Sequence, residues 1–374
     1  MRVLIVSHRF YPAEGGSERW ALGLARSLRA RGDHPIVLTQ QEPGLPDRST
    51  LDGIEIRRVE LARFGRFRRP RHYLRELRAI DYDVLQLSGN RIWCADFLFP
   101  IAPLLSAPRA ITPHGFYQLE MDPTSLDRVY FRHYLPFALR SFGAYFSMSE
   151  HESQQIVSFG YDAARVHTVG SAIVPQEFAG PRGDGRELRE RWGVRRPKIA
   201  FTAGGTWENK RIDRIIEGLV PVRDEVALIV AGRDVPASRY NQAALERLAA
   251  DRGLELHCVG ELPRSEFLSA LRSVDLYVQG SSYEGFGLTL LEAMASGLPF
   301  VAYPTGAAPE LAGAGGGSIA NTPAEFTQGA RALLSEMARG AAACSQRTRL
   351  AAERWSWSRS VEQYAQAYRR LVGS

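Results

Sequence analysis

Cysteine is scarce: three in 374 residues (Cys94, Cys258 and Cys344), far apart, with no CxxC and no neighbouring pair of histidines. A disulfide framework and a zinc centre are both excluded by that pattern, which fits a reducing compartment. Long apolar runs are missing too. The N-terminus, Met-Arg-Val-Leu-Ile-Val-Ser-His, has four apolar residues before polarity returns, whereas a signal peptide needs ~7–15. The most apolar stretch, Ile92 to Leu105, is interrupted by Asp96, Pro100 and Pro103, and a spanning helix needs about 20 apolar residues. The expectation is a cytoplasmic protein whose membrane contact, if any, is peripheral. No cluster of His, Asp or Glu has metal-ligand spacing, so no metal and no cofactor are expected. Asp81-Tyr82-Asp83 is formally a DxD sequence, but it precedes the strand Val84–Leu87, at the wrong strand end for a ligand loop. It reads as a turn.

What is present describes a globular protein. The hydrophobic fraction is 45% and the charged fraction 24%, too apolar for disorder. At ~150 residues per domain the length gives about two domains. The formal charge of +6 permits nucleic acid, an anionic membrane or a phosphorylated ligand as partner.

Short apolar runs alternate with helical patterns. Val3–Val6, Ile36–Thr39, Val84–Leu87, Arg109–Thr112 and Ala144–Ser147 read as parallel strands, and Gly16–Ala30 as the first helix, with Trp20, Leu24, Ala25 and Leu28 at helical spacing. The alternation breaks at Ala179-Gly-Pro-Arg-Gly-Asp-Gly185, a linker by composition. It restarts with Ile199–Ala203, Val226–Ala231, Glu255–Val259, Leu276–Gln279 and Phe300–Ala302. Gly313–Gly317 reads as a mobile surface loop. The domains are drawn at 1–178 and 179–355, with a closing helix at 356–374.

The sharpest constellation is Ser281-Ser-Tyr-Glu284-Gly285-Phe286-Gly287-Leu288-Thr-Leu-Leu-Glu292-Ala-Met-Ala-Ser-Gly297-Leu-Pro299. A strand, a glycine-bearing turn and a helix start form an anion site, because backbone N–H groups and the helix dipole converge there. Gly285 and Gly287 let the backbone approach a phosphate. Glu284 and Glu292 lie up to ~12 Å apart along a helix axis, too far to share a proton. They suit different parts of one elongated ligand.

This string resembles the EX7E signature of family 4 glycosyltransferases, retaining enzymes of the GT-B fold, and the resemblance extends along most of the chain. Pro12-Ala-Glu-Gly15-Gly16-Ser-Glu18 resembles the family's N-terminal glycine loop. Ile111-Thr-Pro-His114-Gly115 is similar to its strand–His–Gly turn, Gly260-Glu-Leu262-Pro263 to its nucleotide-base loop, Gly306-Ala-Ala-Pro309-Glu310 to its Gly-x-x-Pro-Glu turn, and Trp355-Ser-Trp357 to the start of its closing helix.

The resemblance implies an α/β protein of two Rossmann-like domains facing an interdomain cleft, the last helix packing back toward the N-domain. It implies a nucleotide-sugar donor held by the C-terminal domain and a glycan or lipid-linked acceptor held by the N-terminal one, for cell-surface polysaccharide synthesis. Glu292 would hold ribose hydroxyls, Glu284 with the backbone of Phe286–Leu288 the sugar and diphosphate, and Lys210 the diphosphate. Gly15, Gly16 and Leu262 would line the donor, and His114 would position the transferred sugar. The leaving phosphate would take the acceptor's proton, without a metal.

Two stretches depart from the family pattern. Gly205 stands where the family has Arg, and Arg211 where it has Gly; either Arg211 restores the charge or Gly205 admits backbone contacts. The family's Pro-Asn-Gly-Val-Asp turn is replaced by Val169-Gly-Ser-Ala-Ile173.

Nine arginines against two glutamates lie between Arg57 and Arg78, interleaved with Phe64, Phe67 and Tyr73, with a short amphipathic helix after Pro70. Arg66, Arg68, Arg69 and Arg71 suit anionic headgroups or a lipid-linked acceptor. A nucleic-acid-binding protein is the alternative from composition, though no nucleic-acid module is recognisable. A sugar-nucleotide epimerase or a phosphorylase is the alternative from fold.

Overall fold

In a computed structural model, which describes residues 1–13, 15–60, 62–64, 67–69, 71–121 and 124–373, the chain forms two compact units. One comprises Met1–Ala172 and Trp357–Ser374, the other Ile173–Ser356. Phe178, 1% exposed and under the Arg264 guanidinium, is therefore counted with the second unit, ahead of the glycine-rich linker.

The first unit is built on strands β1 (Arg2–Val6), β2 (His34–Gln40), β3 (Arg48–Leu51), β4 (Ile54–Val59), β7 (Val84–Ser88), β8 (Arg109–Thr112), β9 (Ala144–Ser147) and β10 (Val166–Thr168). Their order is β10-β9-β8-β7-β1-β2-β4-β3. All pairings are parallel except β3 with β4. Both faces are covered, so central strands are continuously apolar: Val3, Leu4, Ile5 and Val6 are fully buried. The strand order reverses between β1 and β7.

Three strands of this unit, β3, β4 and β10, escape the sequence pattern, as does a hairpin, β5 (Ala62–Phe64) with β6 (Phe67–Arg69). β4 alternates Ile-Glu-Ile-Arg-Arg-Val, and its buried Ile54, Ile56 and Val59 are masked by the surrounding charge. The helix expected after Pro70 spans Arg71–Ala79.

The helix Gly16–Ala30 and the last helix, Trp357–Gly373, pack together in this unit. Trp20 Nε1 donates to Tyr364 Oη at 3.2 Å, and Tyr368 Oη donates to the buried Gln86 Oε1 at 2.7 Å. Arg31 reaches Glu362 at 2.9 Å. Contact is close because Gly23 has no side chain: a Cβ there would lie 2.3 Å from the Trp357 ring.

The second unit has six parallel strands, β11 (Lys198–Ala203), β12 (Val226–Ala231), β13 (Glu255–Gly260), β14 (Leu276–Gln279), β15 (Phe300–Ala302) and β16 (Gly317–Ile319). Their order is β13-β12-β11-β14-β15-β16, reversing between β11 and β14. The glycine patch 313–317 is not a loose loop. Gly317 opens β16 against β15, and a Cβ on it would meet the Phe300 carbonyl oxygen at 2.0 Å, so glycine is what lets this edge strand pair.

Overfilling the Gly23 contact is testable. Gly23→Val should lower the unfolding free energy by about 2 kcal/mol, read from urea denaturation, and unchanged stability would show that Trp357 is not fixed there.

Candidate active site

In a doubly wound sheet, ligands sit outside the carboxyl ends of the strands where the order reverses. In the second unit those ends are the loops after β11 (204–211) and β14 (280–287), and hydrogen bonds join them. Ser282 N–H donates to the Asn209 carbonyl at 2.8 Å, and Asn209 Nδ2 to the Tyr283 carbonyl at 3.3 Å. Lys210 Nζ donates to Glu284 Oε1 at 2.8 Å, and Ser281 Oγ donates to the same oxygen at 2.7 Å. Lys210 and Glu284, 74 residues apart, thus form one polar unit at the reversal point.

The helix Leu288–Ala295 follows, with Gly287 as N-cap at φ 95°, a conformation that favours glycine, and no side chain capping this end. Its first-turn amides are oriented as anion donors. The Phe286 carbonyl accepts from Ala307 N–H at 2.8 Å, which fixes the turn that contains Gly306. Gly306 is itself confined: a Cβ would lie 2.7 Å from that carbonyl oxygen.

Glu292 is on this helix and 2% exposed. Arg264 Nη1 donates to its Oε1 at 2.7 Å. The Arg264 guanidinium stacks over Phe178 and Phe267 at 5.1 and 5.7 Å. Sequence reasoning missed Arg264, although it directly follows the Leu262-Pro263 loop. Leu262 is half-buried just after β13.

The two departures from the family pattern resolve differently. Gly205, at φ 75°, packs against the next loop, where a Cβ would lie 2.3 Å from the Arg233 carbonyl oxygen. Its N–H donates to the Ala231 carbonyl at 3.0 Å. No side chain fits there as the loop stands. Arg211 does not stand free to replace the missing arginine. It makes a bidentate pair with Asp213 at 2.8–3.2 Å, and its guanidinium lies 5.9 Å from the Tyr240 ring, whose hydroxyl also donates to Asp213.

In the first unit, Gly15 and Gly16 sit at the N-terminus of the helix Gly16–Ala30, with a Cβ on Gly15 meeting Glu18 Oε2 at 2.3 Å and open space beside Gly16. His114 follows β8 at φ 63°. Its Nε2 lies 2.9 Å from Ser88 Oγ and its ring 4.8 Å from the Trp20 ring, edge-on. Desolvation pushes its pKa down to about 4, so the imidazole is neutral at pH 7. Beneath the turn, Glu152 is buried and accepts from Tyr145 Oη at 2.9 Å, Met148 N–H at 3.1 Å and the Gly115 amide. Burial raises its pKa to about 7 against these hydrogen bonds.

The DxD carboxylates are both engaged by Arg2: Asp83 accepts from its backbone N–H at 2.7 Å, and Asp81 from its side chain. Among the described residues no three His, Cys, Asp or Glu groups gather as a metal site, and no helix is long and apolar enough to cross a membrane. Arg66 lies outside the described residues, as do the side chains of Arg68, Arg69 and Arg71.

Comparison with known proteins identifies the family. Residues 15–172 match the glycosyl transferase 4-like domain, and residues 184–350 the glycosyl transferases group 1 family. Both units have the fold of GT-B enzymes: a sucrose-phosphate synthase from Thermosynechococcus elongatus superposes with a TM-score of 0.80 at 16% identity, covering 100% of this chain and 99% of its own. The chain belongs to the group 1, family 4-type glycosyltransferases, enzymes that transfer sugar from a nucleotide-sugar donor. It is 24% identical over 311 residues to the GDP-mannose:cellobiosyl-diphosphopolyprenol alpha-mannosyltransferase of Xanthomonas oryzae pv. oryzae, covering 80% of this chain and 77% of that one. It is 26% identical over 330 residues to a GDP-mannose-dependent alpha-mannosyltransferase of Mycobacterium tuberculosis, covering 83% and 81%. Nothing in these comparisons supports a nucleic-acid-binding protein, an epimerase or a phosphorylase.

Two predictions follow from the geometry. Gly205→Arg, which reinstates the family residue, should weaken nucleoside-diphosphate binding in calorimetry because its Cβ collides with the Arg233 carbonyl; tighter binding would contradict the loop geometry. His114 and Glu152 pull stability in opposite directions with pH. A depressed histidine pKa means that its contribution is complete above the ordinary 6.5 and drains as pH falls toward 4. A raised carboxyl pKa means that Glu152's contribution is complete below 4.5 and drains as pH rises through 7. Urea titrations from pH 4 to pH 8 should therefore show His114→Asn losing stability upward through this range and Glu152→Gln gaining it. Parallel profiles for both variants would contradict the assignment.

Proposed function

We propose that the chain is a retaining, metal-independent mannosyltransferase that uses GDP-mannose and a lipid-linked glycan acceptor at an anionic membrane surface, with no nucleic-acid partner. The observation that carries this is the Lys210–Glu284 pair beside the Gly287-capped helix start at the β11/β14 reversal. GDP-mannose is the donor named for both relatives above, and a polyprenol-linked acceptor is named for the first.

The residues divide the donor as its chemistry requires. Glu292, oriented by Arg264, takes ribose hydroxyls. Gly285–Leu288 supply backbone donors to the diphosphate, and Lys210 supplies the ammonium. As the glycosidic bond breaks, negative charge grows on the leaving phosphate, and fixed donors there stabilise the transition state more than the ground state. That same growing charge makes the leaving phosphate a base for the acceptor hydroxyl on the face it has left, so the anomeric configuration is kept. Glu284 holds Lys210 in place before the diphosphate arrives and then faces the sugar. His114, neutral at pH 7, positions the sugar by hydrogen bonding and carries no charge in the reaction. Gly15 and Gly16 allow close backbone approach at the first unit's helix start. Gly205 keeps the 204–211 loop tight against β12, and Arg211 holds the αL turn that starts the helix Ile212–Leu219.

Lys210→Ala and Glu292→Ala should each weaken GDP binding at least tenfold by calorimetry. Chelators should leave turnover unchanged, and the product should carry an α-mannosyl linkage by NMR. Undiminished GDP affinity in both variants would overturn the site, and a β product would overturn retention.

A further inference from the structure

The continuous helical run 125–139 follows the Thr124 capping box, with one wider turn at Tyr130–Tyr134. Its inner face is complete: Phe131, Leu135 and Leu139 are at most 1% exposed, and Phe131 packs edge-on against Phe116 at 5.6 Å. Asp127 is buried on that side and paired with Arg91. Folding therefore accounts for one apolar stripe and no more.

The outer face is apolar as well. Leu126 is 77% exposed, Val129 57% and Phe137 66%, spaced along one side of the run. Between and beside them stand exposed Arg128, Arg132, His133 and Arg140. The Arg140 guanidinium lies 5.9 Å from the Phe137 ring. Asp127 is the only acidic residue from 124 to 142, and no carboxylate among the described residues pairs with Arg128, Arg132 or Arg140. A helix polar outside and apolar inside is the ordinary surface pattern. This one is apolar on both sides, and its outer stripe is fringed with one sign of charge.

The geometry points to this outer face as the surface by which the first unit docks on an anionic lipid bilayer. Leu126, Val129 and Phe137 enter the acyl boundary while Arg128, Arg132 and Arg140 meet headgroup phosphates. A folded protein partner would offer carboxylates at fixed places; a lipid surface accepts cations anywhere along an apolar ridge, which is the pattern here. The inference rests on the proposed membrane-borne acceptor, and it assigns the contact to a segment separate from the arginines at 66–71.

Vesicle sedimentation tests it on the full chain. The wild type should partition onto phosphatidylglycerol vesicles and at least tenfold less onto phosphatidylcholine vesicles. Leu126→Ser/Val129→Ser/Phe137→Ser, and separately Arg128→Gln/Arg132→Gln/Arg140→Gln, should each lower partitioning onto phosphatidylglycerol at least tenfold. GDP affinity should be unchanged in both, which shows that the variants remain folded. Retained vesicle binding in both variants would overturn this face while leaving membrane attachment standing. Absence of wild-type binding to either vesicle would overturn the membrane reading itself. A concentration-dependent dimer abolished by Phe137→Ser would assign the face to a second copy of the chain instead.

Discussion

The contact between Lys210 and Glu284 is what turns a sheet edge into a site. Each lies on the loop that leaves one of two neighbouring strands, and those strands feed chain in opposite directions across the sheet. Without cross-links such loops would diverge. Here one ion pair and two hydrogen bonds at Asn209, one accepted by its carbonyl from the Ser282 amide and one donated by its side chain to the Tyr283 carbonyl, hold them together, while Ser281 steadies Glu284 within its own loop. The ammonium is thereby fixed on Glu284, in the loop that precedes the helix Leu288–Ala295, and under the proposed function little ordering cost remains for a diphosphate to meet.

The surrounding residues extend that principle. Glu292 is a carboxylate taken almost wholly out of water, tolerable because Arg264 faces it and Arg264 is itself sandwiched between rings. Arg211 is matched by Asp213 within its own turn. The loop side thus carries charges that are paired and placed. In the first unit, by contrast, His114 and Glu152 are drawn toward their neutral forms by burial.

Legibility in the sequence tracked how local each feature is. Apolar strands with both faces buried announced themselves, so β1, β2, β7, β8, β9, β11, β12, β14 and β15 lie where their residues predict, and the half-buried edge strand β13 lies there too. β4 did not, because its buried Ile54, Ile56 and Val59 are diluted by Glu55, Arg57 and Arg58, the last itself buried on Pro46, Ser49 and Tyr11. Nor did β16, whose Gly317 is needed for backbone approach to β15 and carries no apolar signal. At the site, the strand–turn–helix around Glu284 was readable as one segment. The partnership of Glu292 with Arg264 was not, since it joins residues 28 apart on two different helices. The occupation of Arg211 by Asp213 was in principle readable from two nearby charges, but the αL turn that aligns them was not. The +6 charge likewise divides only in three dimensions: many arginines are held by carboxylates, as Arg211 is by Asp213, others by backbone carbonyls, as Arg109 is, and among the described residues Arg128, Arg132 and Arg140 pair with no carboxylate.

Under the proposed function a nucleoside diphosphate is held where the loops after β11 and β14 meet. Hydrogen–deuterium exchange with and without saturating GDP tests this most directly. Slowed exchange is expected at the amides of 204–211 and of 281–289 together, because the ligand braces both loops at once. Bound GDP that leaves both segments exchanging at their free rates would contradict it.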